Sequence, residues 1–359
     1  MKKINKDISL ANTLTGDFYC SDTIFNDLKV KVFERSWQYI CSDADLKIKN
    51  SVVPFVLLDK FISEPLMLIN NSYKISCLSN VCTHRGNILV DKKTIFNGNI
   101  VCGYHGRSFN KNGDFVSMPE TKDIKNFPCI DDNLSNINLE NWFQFIFISL
   151  DPVISFDKII SDMSGRISWM PIDKFILRED LSKSYTIDAN WALYCDNYLE
   201  GFHIPFIHKD LNATLDYKKY DVEIFEFSNL QIGYAEEDDI CFDFPEDSID
   251  YGKNIAAYYF WIFPNMMFNF YPWGLSINIV KPISAKKTEI EFKTFVWDET
   301  KLQLGAGADL DKVELEDEEI VQRVQKGVNS RFYKQGRFSP NMEKGVHHFH
   351  RLISKFMFK

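Results

Sequence analysis

The sequence predicts an α+β fold in which a small all-β domain precedes a larger domain of antiparallel strands and helices. Residues 50–150 contain short apolar segments separated by turn signals such as Asn97-Gly98. Beyond the candidate boundary at Asp151-Pro152, strand-like segments over 222–300 lead to a segment of helical composition over 312–335. Strands flanked by helices indicate a sheet packed against helices, which is the α+β layout.

Local patterns predict the individual elements. Val52–Leu58 and Phe143–Leu150 are rich in the β-branched and aromatic residues that favour strands. In Glu289–Val296 apolar residues alternate with polar ones, as expected of a strand with one buried face. Asn190–Phe202 has a helical composition, and we expect this helix to stop at Pro205 because proline interrupts a regular helix.

Composition excludes several classes of function. The 359 residues, 45% apolar and 25% charged, are those of a globular protein long enough for two domains. A formal net charge of −9 argues against nucleic acid or an anionic membrane surface as a partner. The first ten residues lack the apolar core of a secretory signal, and Ile255–Phe263, the most apolar stretch, is too short to span a bilayer. We therefore expect a cytoplasmic protein.

The eight cysteines are not expected to form disulfides, since cytosolic proteins rarely carry a disulfide framework. Two of them, Cys82 and Cys102, need a different explanation because each lies two or three residues before a histidine. The others are expected to be small buried hydrophobic side chains: Cys20, Cys41, Cys77, Cys129, Cys195 and Cys241.

Cys82-Thr83-His84 and Cys102-Gly103-Tyr104-His105 each offer one thiolate and one imidazole, and 17 residues lie between the two segments. A Rieske-type [2Fe–2S] cluster is held by two cysteines on one iron and two histidines on the other. Adjoining glycines let backbone amides approach the sulfurs: Gly86, Gly103 and Gly106. The alternatives are coincidence and a zinc site, although usual zinc spacings pair cysteine with cysteine and histidine with histidine.

A second group of candidate ligands lies in Asp196–His208, where two histidines and two carboxylates fall within thirteen residues. Two histidines and one carboxylate, with open positions, form the ligand set of mononuclear non-haem iron enzymes. On a regular helix His203 and His208 would point about 140° apart, but Pro205 interrupts the helix and makes convergence possible. The alternative is two unrelated histidines near a helix end. Composition does not choose the third ligand, because the seven acidic residues within 309–319 are by default a solvated helix face.

The two groups together resemble the catalytic, alpha-type subunit of the Rieske non-haem iron oxygenases over nearly the whole chain. Three further segments carry the resemblance: Phe33–Trp37, Met118–Glu120, and Glu316-Asp317 followed by Gln325 and Gly327. The resemblance implies an N-terminal segment, 1–36, that packs on the catalytic domain, a Rieske domain at 37–150, and a catalytic domain at 151–359. It also implies a helix-grip (START/Bet v1-like) fold for the catalytic domain.

The resemblance further assigns roles within the site. It maps the third iron ligand to Asp317, and it makes Glu200 the acid that links His203 to His105 of a neighbouring subunit in a homotrimer. The alternative for Glu200 is a carboxylate on a helix surface. Electrons would come from NAD(P)H through a separate reductase or ferredoxin. Two positions depart from the family's usual pattern, Gly103 in place of proline and Arg107 in place of tryptophan; neither is a ligand, so both concern the tuning of the cluster potential.

Substrate class is the least determined feature. Asp196–His208 and the tail Glu343–His350 look similar to choline-monooxygenase-like members, which favours hydroxylation or oxidative demethylation of a small substrate, such as a quaternary ammonium compound. The aromatic residues of Tyr258–Trp261 and Tyr271–Trp273 suit either a packed sheet face or an aromatic cage for a cation. The alternatives are an aromatic ring-hydroxylating dioxygenase and a Rieske electron carrier with a ligand-binding domain. The tail histidines are expected to be packing or surface residues: His347, His348 and His350.

Overall fold

The structure, a computed structural model, describes residues 3–207, 221–235, 239–302, 304–307 and 310–358. It divides into two compact units. One unit comprises residues 37–153, and the other combines the N-terminal segment up to residue 36 with the chain from residue 154 onward.

The smaller unit is built from short antiparallel strands. They are β1 (Gln38–Ser42), β2 (Ser51–Leu57), β3 (Glu64–Asn70), β4 (Ile75–Ser79), β5 (Thr94–Ile95), β6 (Ile100–Val101), β7 (Ser108–Phe109), β8 (Phe115–Ser117), β9 (Asn136–Trp142) and β10 (Phe145–Ser149). One sheet has the order β1-β10-β9-β4-β3-β2-β5, and a second has the order β6-β7-β8. The all-β character predicted for this part of the chain is confirmed.

Two predicted strand bounds in this unit need correction. β2 ends at Leu57 rather than Leu58, and β10 begins at Phe145 rather than Phe143. Leu58 and Phe143 have positive φ angles of 41° and 49°, which place both residues in turns. A composition rich in β-branched and aromatic residues predicts the position of a strand well, but it does not predict the residue at which the strand gives way to a turn.

The larger unit combines one long antiparallel sheet with helices. Its strands are β11 (Ile176–Leu177), β12 (Lys183–Ile187), β13 (Asp221–Ile224), β14 (Ser228–Tyr234), β15 (Ile255–Ile262), β16 (Met266–Tyr271), β17 (Gly274–Ser284) and β18 (Lys287–Val296). The order is β11-β18-β17-β16-β15-β14-β13, and β12 also pairs with β18. The helices are α1 (Asp22–Leu28), α2 (Phe156–Ile167), α3 (Trp191–Tyr198), α4 (Ile204–Ile207), α5 (Leu310–Val328) and α6 (Lys344–Met357). The predicted α+β class is therefore confirmed.

One face of this sheet carries buried polar side chains that contact α3. Tyr198 donates to Asn269 Oδ1 over 2.6 Å, and Asn269 Nδ2 donates to Asn278 Oδ1 over 3.1 Å. Gln231 Nε2 donates to the carbonyl of Tyr198 over 2.7 Å and so satisfies a group that the end of the helix leaves free. These bonds fix the C-terminal end of α3, immediately before Glu200 and His203.

The predicted helix at Asn190–Phe202 is shorter than expected. α3 ends at Tyr198, and the chain turns before α4 begins at Ile204. Pro205 does not end a helix; it lies in the first turn of α4, where its missing N–H costs nothing. No helix within the described residues is long and apolar enough to cross a membrane.

The cysteine prediction is partly wrong. None of the eight cysteines forms a disulfide. Of the six that were expected to be buried, only Cys77 and Cys195 are; Cys129 is exposed and the others are half-buried. A residue type that is often buried is a weak guide to a single position.

Candidate metal centres

Two loops of the smaller unit present the first set of candidate ligands. The amide of Cys82 donates to the carbonyl of Asn87 over 2.8 Å, and that of Cys102 donates to Arg107 over 2.8 Å. In each loop the fourth residue after the cysteine is a glycine with φ near 70°, Gly86 or Gly106, and its amide donates back to the cysteine carbonyl. The loops thus repeat one conformation, which gives each a buried thiol and a half-buried imidazole.

The four side chains are arranged as two pairs. The Cys82 and Cys102 thiols share a hydrogen bond, and the rings of His84 and His105 lie 4.8 Å apart at 72°. This grouping suits a two-iron cluster, with the thiolates on one iron and the imidazoles on the other. Nδ1 of His84 is buried with no hydrogen-bond partner, which is costly unless a further group binds it. An iron ion there would satisfy that nitrogen, so the residues fit the cluster.

Hydrogen bonds favour the thiolate form of Cys102, whereas burial raises the pKa of the Cys82 thiol. Burial raises the pKa of the Cys102 thiol, but donors from the Tyr104 and His105 amides, from Cys82 and from Asn87 outweigh burial and lower the pKa overall. Nδ2 of Asn87 lies 3.5 Å from Sγ of Cys102. Such donors to sulfur stabilise the thiolate, the form that binds a metal.

The second candidate centre depends on the position of α3. Asn190 caps this helix: its Oδ1 accepts a hydrogen bond from the backbone amide of Ala192 over 3.0 Å. The backbone amide of Asn190 donates to Oε1 of Gln325 on α5 over 2.8 Å. Gln325 therefore joins the start of α3 to α5. At the other end, a Cβ atom at Gly345 would lie 2.4 Å from the Leu199 carbonyl, so only glycine lets α6 pack this closely.

His203 lies between two carboxylates just beyond α3. Its Nδ1 is 2.8 Å from Oε1 of Glu200, and its Nε2 is 3.4 Å from Oδ1 of Asp317. Burial lowers the pKa of His203, but hydrogen bonds that its ring donates to Asp317 and Glu200 outweigh burial and raise the pKa to about 9. Because the fold stabilises positive charge here, and Nδ1 donates to a carboxylate while Nε2 faces another, the donor set fits a ferrous ion.

The acidic segment of α5 is not a purely solvated face. Tyr194 donates to Oε2 of Glu314 over 2.5 Å, and Nδ2 of Asn197 donates to Oδ1 of Asp317 over 2.6 Å. The partners are three residues apart on each helix, so α3 and α5 meet in register along one face. The sequence analysis did not identify Tyr194, Asn197 or Glu314 as site residues. Their spacing of three residues along each helix can be read from the sequence, but the sequence does not show that α3 packs against α5.

The structure brings His203, Glu200 and Asp317 together, while His208 lies outside the described residues. Within the described residues no three His, Cys, Asp or Glu side chains come close enough to hold one metal ion.

Two of the three tail histidines of α6 bind the N-terminal segment, and the third, His348, lies 3.0 Å from Oδ1 of Asn229. His347 Nε2 lies 2.8 Å from the carbonyl of Asn5, and His350 Nδ1 accepts the amide of Leu14 over 3.1 Å. Because Nδ1 is an acceptor, Nε2 of His350 carries the hydrogen and donates to Oδ1 of Asp196 over 2.8 Å. Tyr19 donates to Oδ2 of the same carboxylate over 2.8 Å. His350 and Tyr19 thus fix Asp196 of α3. The tail histidines are interior, not surface, residues.

Replacing His350 by leucine is expected to destabilise the protein by roughly 1–3 kcal/mol, because the Leu14 amide and one Asp196 oxygen would lose their buried partner. Thermal or urea unfolding of the purified variant measures the effect. Tyr19→Phe, which removes one donor and leaves no buried amide unpaired, should cost less. Equal stability of wild type and His350→Leu would contradict the proposed network.

Comparison with known proteins places this geometry in a family. Residues 36–128 match the family model described as the Rieske [2Fe-2S] domain, and residues 176–358 match that of the ring hydroxylating alpha subunit (catalytic domain). Choline monooxygenase of Arabidopsis thaliana is 28% identical, covering 96% of this chain and 82% of that protein. The carnitine monooxygenase oxygenase subunit of Escherichia coli K12 is 26% identical, covering 96% and 93%.

Solved structures show the same fold. A quaternary ammonium Rieske monooxygenase, described with carnitine oxidation and inter-subunit electron transfer, superposes with a TM-score of 0.79 at 22% identity over 99% of both chains. Naphthalene 1,2-dioxygenase from Rhodococcus superposes with a TM-score of 0.72 at 16% identity, over 96% of this chain and 94% of that one.

The matched domains cover both candidate centres. A Rieske domain joined to this catalytic domain implies a [2Fe–2S] cluster and a mononuclear iron, with electrons supplied by a separate reductase. The predicted enzyme class is confirmed, and the zinc protein and simple electron carrier are set aside. This chain belongs to the family of ring-hydroxylating alpha subunits that carry a Rieske domain, the Rieske non-haem iron oxygenases.

Proposed function

We propose that this chain, as a terminal oxygenase component, hydroxylates or oxidatively demethylates a small quaternary ammonium compound. The observation that carries the substrate class is a carboxylate three residues before Asp317, Glu314, that accepts a hydrogen bond from Tyr194. A quaternary ammonium group is attracted both to a carboxylate and to aromatic rings. The names of the choline and carnitine monooxygenases among the relatives support the same class.

The aromatic stretches form packed core, and Tyr271 and Trp273 are buried within it. Tyr258, Phe260 and Trp261 are completely buried, so most of this sequence is packed interior. Tyr271 and Trp273 stack with ring centroids 5.0 Å apart. Burial raises the pKa of Tyr271 well above its usual range, and the neighbouring phenols of Tyr259 and Tyr198 and the carboxylate of Glu314 raise it further.

We infer that the cluster is held by Cys82, His84, Cys102 and His105, and the iron by His203, His208 and Asp317. When bound, the cluster supplies single electrons and the iron supplies the place where O2 is reduced. Glu200 keeps Nδ1 of His203 as a donor, so Nε2, which faces Asp317, would be the nitrogen that holds the iron, and Asn197 fixes one oxygen of Asp317.

We further propose a cytoplasmic homotrimer in which Glu200 lies between His203 and His105 of a neighbouring subunit. The bond from Nδ1 of His203 to Glu200 supports one half of this link. The contact with His105 of a neighbouring subunit is supported by the solved relative that is described with inter-subunit electron transfer. In a closed ring every subunit can donate electrons to one neighbour and accept them from the other. The reductase or ferredoxin would draw its electrons from NAD(P)H.

A substrate panel with a surrogate reductase tests the proposed function. The panel should contain quaternary amines, aromatic acids and bicyclic aromatics, with products identified by mass spectrometry because O2 consumption alone includes uncoupled turnover. Product from a quaternary amine is the expected result. A cis-diol from a bicyclic aromatic, without any quaternary amine product, would favour the ring-hydroxylating dioxygenase whose fold this chain also shares.

Glu314→Gln is expected to raise KM for the quaternary amine about tenfold, or roughly 1.4 kcal/mol, because glutamine can still bind Tyr194 but carries no charge. Steady-state kinetics on the amine and on its neutral tert-butyl isostere measure this. The matched control is Glu319→Gln, which removes an exposed carboxylate on the same helix. An equal loss for the charged and neutral substrates would contradict the role of Glu314 in cation recognition.

A further inference from the structure

Beside the second cluster loop, Arg107 is a buried cation. Its side chain is only 3% exposed, and Nη2 lies 2.6 Å from Oδ1 of Asp132 and 3.0 Å from the Asp132 carbonyl. The guanidinium carbon is 4.7 Å from the ring centre of Phe115 and 5.5 Å from that of Phe127. A charge in such surroundings is retained only when its partners are well placed, and these partners hold it in one position.

Asp132 connects Arg107 to both cluster loops. Its carbonyl accepts the bond from Arg107, which directly follows the second loop, and also a 2.8 Å bond from Oγ1 of Thr83, which lies between Cys82 and His84 in the first loop. Oδ2 of Asp132 accepts the Cys129 amide over 2.7 Å, which fixes the acid in its own turn. One residue therefore holds the two loops in register and places the guanidinium beside them.

We propose that Arg107 sets the reduction potential of the Rieske cluster. Reduction adds one negative charge, and a fixed cation beside the ligand loops stabilises the reduced form, while Asp132 offsets part of that effect. In the family that the sequence resembles this position is often tryptophan, which carries no charge, so Arg107 adds an electrostatic contribution that tryptophan lacks. The inference rests on the cluster that the proposed function requires.

The test is a potentiometric titration of the holoenzyme, followed by circular dichroism and by the EPR signal of the reduced cluster. Arg107→Met should lower the ratio of reduced to oxidised cluster at a fixed potential about tenfold, which is 59 mV for a one-electron couple. Asp132→Asn should shift the potential in the opposite direction, and the double variant should lie between the two. Arg107→Lys should stay near wild type, and Lys125→Met, which removes an exposed cation of the same unit, should have no effect.

Opposite shifts separate an electrostatic role from a structural one, because loosening the loops would move both single variants in one direction and broaden the EPR signal. An unchanged or raised potential in Arg107→Met, with an intact spectrum, would overturn the proposal. If Arg107→Met does not assemble a cluster, an unchanged or lowered potential in Asp132→Asn overturns it instead. A wild-type holoenzyme without a Rieske signal would refute the cluster itself, whereas a normal signal with unmoved potentials refutes only the role of Arg107.

Discussion

Replacing His203 by alanine is expected to abolish substrate oxidation while leaving the Rieske spectrum unchanged. The substitution removes the imidazole that lies 2.8 Å from Glu200 and 3.4 Å from Asp317, so two carboxylates lose the group between them and the proposed iron site loses a nitrogen donor. Loss of a partner behind a metal ligand costs 10–100-fold in metal affinity or activity. Loss of the ligand itself should reduce product formation at least about 100-fold.

Two measurements separate the centres in this variant. Iron and sulfide analysis with visible and EPR spectra should show a complete cluster and a lowered content of mononuclear iron. The reciprocal control is His84→Ala, which removes a buried nitrogen of the cluster loop and should lose the Rieske signal while retaining mononuclear iron. Normal product formation by His203→Ala would exclude this histidine as an iron ligand.

The cluster loops were predictable because their chemistry is local. Each loop places its cysteine and histidine within four residues, and the glycines that permit the turn are part of the same segment. Long-range contacts of these loops were not predictable. Nothing near Thr83 or Arg107 in the sequence indicates that Asp132, 25 or more residues away, accepts hydrogen bonds from both.

In the second centre too, contacts within one turn of the chain were predictable and long-range contacts were not. Glu200 and His203 are three residues apart, so their contact follows from one turn of chain. The choice of Asp317 among the acidic residues of 309–319 came from the family resemblance, because composition treats them alike. The structure distinguishes them by partner: Asn197 binds Asp317 and Tyr194 binds Glu314, across 120 residues of sequence in each case.

Glu200→Gln is expected to stop electron transfer to the iron while both metal centres remain. Glu200 accepts bonds from the amides of Phe202 and His203 and from Nδ1 of His203. Glutamine has one acceptor oxygen and an NH2 group, so at least one donor would face another donor, and the negative charge between the proposed partners would be lost. We expect product formation to fall at least about 100-fold.

Single-turnover experiments locate the block. In Glu200→Gln the reductase should reduce the cluster at a normal rate, but O2 and substrate should no longer reoxidise it. Hydrogen peroxide carries both oxygen and two electrons, so peroxide-driven product formation should survive in Glu200→Gln and fail in His203→Ala. Glu200→Asp, which keeps the charge on a shorter side chain, should retain part of the activity. Normal reductase-driven turnover by Glu200→Gln would contradict the bridge, because a neutral side chain would then serve equally well between the two histidines.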